Sequence, residues 1–125
     1  VNMLGMVAMH AAYTEGAAWL DSLLVYLEDN RDLLVATVEE KLPGVEITAP
    51  EGTYLAWLDC RALELPEGKT ALPTFNYFFK EEAGVVLNNG AWFGQGGEGF
   101  VRLNFGCPRQ ILVEALERME RALVG

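Results

Sequence analysis

The chain has 125 residues, 51% hydrophobic and 22% charged, which suits one domain with a real core and lacks the charge-dense composition that prevents collapse. Its formal net charge of −9, with the basic residues scattered rather than gathered into a stripe, argues against nucleic acid or an anionic membrane as partner. Two distant cysteines, Cys60 and Cys107, with His10 as the one imidazole, signal neither a metal site nor a disulfide framework and fit a reducing, cytoplasmic setting.

Residues 3–14, rich in Met, Ala and Leu, predict a well-buried helix ended or bent near Thr14-Glu15-Gly16. This apolar opening has no basic flank and is too short to span a bilayer, so it reads as neither signal peptide nor anchor. It starts abruptly, without an initiator methionine, as expected of a piece of a longer protein. From Ala17 to Leu42, Trp19, Leu23, Leu27, Leu34, Val38 and Leu42 recur at helical spacing among acidic residues, which predicts a long amphipathic helix stopped by Pro43-Gly44.

VEIT and TYLAWLD, separated by Ala49-Pro50-Glu51-Gly52, predict two strands around a turn, with Tyr54, Trp57 and Asp59 read as packing residues. Residues 61–71 read as loop. Pro73 to Ala83, with Phe75, Phe78 and Phe79 at helical intervals and Gly84 after them, predicts a short helix. GVVL, closed by Asn88-Asn89-Gly90, and FVRLNF predict two more strands, and Pro108 to Leu123 a final amphipathic helix with Ile111, Leu112, Ala115, Leu116, Met119 and Leu123 inward. The order predicts an α+β fold, helices packed on a small, mostly antiparallel sheet.

Gly94, Gly96 and Gly99 spell a G-x-G-x-x-G, but a phosphate cradle needs a helix start after the glycines. A strand follows instead, and Glu98 puts a negative charge where the phosphate would sit, so the run reads as a flexible turn or lid. In that strand Phe100, Arg102 and Asn104 share one face, and Val101, Leu103 and Phe105 the other. Two readings of Arg102 stay open: a solvated or ion-paired structural arginine, or a rigidly mounted fork of donors for a carboxylate, with Asn104 beside it and Trp92 and Phe93 excluding water.

The segments AAYTEGAAWL, TYLAWLD and FGQGGEGFVRLN followed by Pro108-Arg109 carry a resemblance that extends over almost the whole chain. The sequence resembles the C-terminal part of pyridoxal-phosphate-dependent carbon–sulfur lyases, the cystathionine β-lyase-like group of the class I/II aminotransferases. The resemblance implies the small domain of a fold type I enzyme, spanning 1–125, with residues 1–42 as a helical segment joining a missing N-terminal large domain. It implies that Arg102 pairs with the substrate's α-carboxylate, and that Asn104, Trp92 and Phe93 line the substrate site. No catalytic, cofactor-binding or metal-binding residue is expected in these 125 residues, because the cofactor's lysine and most of its contacts lie upstream; Lys41, Lys69 and Lys80 do not match that motif. Alone, the chain is expected to be inactive and to bind no pyridoxal phosphate. The complete enzyme is expected to be a homodimer that expels a thiolate from a cystathionine- or cysteine-type amino acid, leaving pyruvate and ammonia. The family's usual Pro-Gly before the aromatic loop reads Asn89-Gly90 here. Two rivals remain: the same domain of an aminotransferase, and a non-catalytic α+β binding module.

Overall fold

A computed structural model of the chain describes residues 2–64 and 75–124. Asn2 opens helix α1, Met3–Glu15, by accepting the Gly5 N–H at 2.6 Å. Gly16 bends the chain directly into α2, Ala17–Lys41, and a Cβ at this position would lie 2.4 Å from the Ala12 carbonyl oxygen. Pro43-Gly44 ends α2 as the sequence predicts. Gly44 takes a φ of +81°, where a side chain would also strike the Leu63 backbone, so glycine is required twice over.

The strands are β1 (Glu46–Ile47), β2 (Leu55–Asp59), β3 (Asn88–Asn89) and β4 (Phe100–Asn104). They form one antiparallel sheet in the order β1-β2-β4-β3, with Trp57 and Asn88 each directly opposite Arg102. Helix α3, Phe75–Phe78, widens into a π-turn over Phe79–Ala83, and α4 spans Arg109–Val124. The expected helix start at Pro73, and the expected loop beyond residue 64, fall outside the described residues.

Ala56, Leu58, Val101 and Leu103 point from one sheet face into a core completed by Leu34, Val38 and Leu42 of α2, Phe78 and Phe79, and Leu112, Leu116 and Met119 of α4. This two-layer arrangement satisfies the apolar face of each element with one core. The opposite sheet face, bearing Leu55, Trp57, Asp59, Phe100, Arg102 and Asn104, carries no α-helix among the described residues.

Several expectations are corrected. Helix α1 is not buried: none of its residues is, and Met3 and Leu4 are about 80% exposed, because no described element packs over it. Trp19 is likewise exposed, so α2 is a core helix only along its second half. GVVL is not a strand. Gly84 adopts a left-handed conformation and Val85 N–H still bonds back to the Phe79 carbonyl, so the segment is held to the π-turn and pairing begins only at Asn88. Ile111 faces out, one position off the stripe formed by Leu112, Leu116 and Met119.

Candidate functional site

The uncovered sheet face is organised around Arg102. Strand alternation puts Val101 and Leu103 into the core and so forces Arg102 to the other side, half-buried among its cross-strand neighbours. Its Nε and Nη2 both donate to Asn88 Oδ1, at 3.3 and 3.0 Å, and its guanidinium carbon sits 4.3 Å from the centre of the Phe93 ring. A cation over an aromatic face is held by about 0.5–2 kcal/mol, and the two hydrogen bonds fix its rotation.

Phe93 belongs to a 3₁₀ turn, Gly90–Phe93, opened by Asn89, whose Oδ1 accepts the Ala91 N–H at 3.1 Å. Trp57 extends the aromatic wall. It meets Phe93 edge-on at 5.7 Å and stacks on Phe100 at 5.5 Å. At the far end of the row Arg61 lies 4.8 Å from the Phe100 ring centre.

The two arginines of this face differ in electrostatics. Arg61 grips Asp59 through Nε and Nη2, and that hydrogen-bonded pairing holds the Asp59 carboxyl below the usual carboxylate range. Its charge is matched. Among the described residues no carboxylate pairs with Arg102, whose partners are a neutral amide and an aromatic ring. A partly buried, unpaired guanidinium is the arrangement that an incoming carboxylate completes.

Of the other residues singled out in the sequence, Phe93 stands against Arg102. Asn104 shares its face but is exposed, with its Oδ1 occupied by the Gly106 N–H at 2.8 Å. Trp92 is 68% exposed and makes no ring contact among the described residues. Trp57 and Asn88 were not legible as site residues: the first reads as packing, the second as the end of a strand. Their pairing register with Arg102 is the signal that identifies them.

Among the described residues, nothing fits pyridoxal phosphate. Lys41 lies in an ion pair with Glu120, at 3.9 Å, and Lys80 in one with Glu81, at 3.3 Å; Lys69 falls outside the described residues. Gly94, Gly96 and Gly99 all take positive φ, yet Gly96 N–H is answered by Glu98 Oε2 at 3.1 Å, so the loop carries its own anion. A 460 Å³ groove does exist, between the 84–87 segment and α4; its lining is mostly aliphatic, takes Leu103 and Asn104 from the end of β4, and includes neither Arg102 nor Phe93. It is not the Arg102 site. No described helix is long and apolar enough to cross a membrane.

No protein-family model matches the chain. It is 46% identical, over 97% of its length, to a Mycobacterium tuberculosis protein provisionally named a cystathionine β-lyase, of which it covers 32%. It is 36% identical, over 98% of its length, to the cystathionine β-lyase PatB of Bacillus subtilis, of which it covers 30%. Among solved structures, a provisionally named pyridoxal-phosphate-dependent β-cystathionase from Corynebacterium diphtheriae superposes with a TM-score of 0.91 at 38% identity, covering 100% of this chain and 32% of that one. The chain thus spans about a third of the length of the curated relatives that it matches.

Proposed function

Because this chain belongs by sequence and fold with the cystathionine β-lyase-like carbon–sulfur lyases of the class I/II aminotransferase family, as a C-terminal domain, we propose that it is the part of its enzyme that receives the substrate's α-carboxylate. Arg102 is the receiving group. The observation that carries this reading is a half-buried guanidinium, fixed on a strand by Asn88 and Phe93, with no carboxylate paired to it among the described residues.

Two-point contact with a carboxylate fixes rotation about the amino acid's Cα and so decides which bond is presented to the reactive centre. The chemistry of bond breaking is left to the part of the enzyme outside this chain. Trp57 and Phe93 contribute by keeping water from the guanidinium once a second wall closes over the open sheet face, and exclusion of water strengthens the charge pairing. The full-length protein then eliminates a thiolate from a cystathionine- or cysteine-type amino acid.

A charge-assisted contact of this kind is worth about 1.5–3 kcal/mol, so Arg102→Ala in the full-length enzyme should lower kcat/KM for cystathionine by roughly ten- to a hundredfold or more. Unchanged kcat/KM would refute the assignment. Pyruvate from cystathionine, without glutamate formation from an amino donor and a 2-oxo acid, is the expected product pattern; the reverse would make the enzyme an aminotransferase.

A further inference from the structure

Resting on the reading of Arg102 as the carboxylate-binding group, we propose that Asn88 is its positioning residue: a neutral acceptor that fixes one edge of the guanidinium while leaving its charge for the substrate. A guanidinium carries five N–H donors and no acceptor. Two of its N–H bonds, one from Nε and one from Nη2, end on Asn88 Oδ1. Among the described residues no hydrogen-bond partner stands at the others, so both donors of Nη1 and the second of Nη2 remain for a ligand. One Nη1 donor and the remaining Nη2 donor form the end-on edge, which alone can still meet a carboxylate in two-point register.

The neutrality of Asn88 matters because of where it sits. It faces Arg102 directly across the β3–β4 ladder, a position from which any side chain on β3 reaches this guanidinium first. An aspartate there would make the internal bidentate pair that Arg61 makes with Asp59 on the same sheet face. The sheet therefore shows both outcomes side by side: one arginine closed by a carboxylate, one oriented by an amide and left open. Because Arg102 can only donate, the Asn88 amide must present its oxygen, and its NH₂ group points away from the pair.

The test uses the full-length enzyme and its variants Asn88→Asp, Asn88→Ala and Arg102→Ala, with competitive inhibition by L-alanine compared with ethylamine, which lacks only the carboxylate. The ratio of the two inhibition constants reads carboxylate recognition, and a general loss of stability shifts both constants together. The wild type should prefer L-alanine. Asn88→Asp should reduce that preference at least tenfold by internal neutralisation, and Asn88→Ala three- to tenfold by loss of orientation, with the smaller variant serving if the aspartate variant does not fold. If Arg102→Ala abolishes the preference while both Asn88 variants keep it, Asn88 has no positioning role and the carboxylate reading stands. If Arg102→Ala keeps the preference, the carboxylate reading itself fails.

Discussion

Asn30, wholly buried in α2, uses every polar atom of its side chain on the segment that leaves β4. Its amide donates to the Phe105 and Cys107 carbonyls at 3.1 and 3.0 Å, and its Oδ1 accepts from Arg109 Nε at 3.2 Å. Tyr26 adds a hydroxyl that accepts the Arg109 N–H at 2.6 Å. Replacing Asn30 by Leu keeps the branched side-chain skeleton but strands two carbonyls, and should cost about 3 kcal/mol in urea unfolding; a loss within 0.5 kcal/mol would mean that water takes over these bonds. Cys60 makes a pH prediction. Burial, with a smaller contribution from the Asp59 charge, pushes its thiol up to about 12 from an ordinary 9.0. The fold therefore favours the protonated thiol, so its contribution is complete below pH 9 and is lost as the pH rises toward 12. Stability should fall over that alkaline window, and Cys60→Val should flatten the fall; the same slope in both proteins would assign it to other groups. At neutral pH iodoacetamide should label the half-buried Cys107 before Cys60.

At the scale of elements, the glycine-rich turn is held by a contact that its motif does not advertise. Gly90 and Gly97 approach so closely that a Cβ on Gly97 would lie 2.2 Å from the Gly90 oxygen, whereas a Cβ on Gly96 would meet nothing within 4 Å. Gly97→Ala must push apart the backbone that carries Phe93 to Arg102, costing about 2 kcal/mol and raising the full-length enzyme's KM. Gly96→Ala carries only the left-handed strain of its +90° φ, about 1 kcal/mol, and should leave KM alone. Equal effects on KM would mean that loop conformation, not its base, governs the site. The alternation of β4 was fully legible in the sequence, because period-two burial is a local property. The Gly90–Gly97 contact and the facing of Asn88 and Trp57 on Arg102 were not, because they depend on register between segments distant in sequence, and single-strand spacing does not encode register.

At the scale of the whole molecule, residues 3–42 were read correctly as helix, but their first half was read incorrectly as core. Periodicity reports which residues would be buried, not by what. Met3, Leu4, Val7, Tyr13, Trp19 and Val25 all stand more than 60% exposed along α1 and the first half of α2. An apolar surface of this breadth is characteristic of an interface rather than of a free monomer. On the reading of residues 1–42 as the joint to a large domain, the same substitution should have opposite consequences in two settings. Leu4→Glu should leave the unfolding midpoint of the isolated 125-residue chain unchanged and should reduce its self-association in sedimentation. In the full-length enzyme it places a charge against apolar neighbours and should lower stability by more than 2 kcal/mol. If the full-length enzyme tolerates Leu4→Glu as readily as the isolated chain does, α1 lies on the outside of both, and the open face over Arg102 must obtain its second wall without help from this helix.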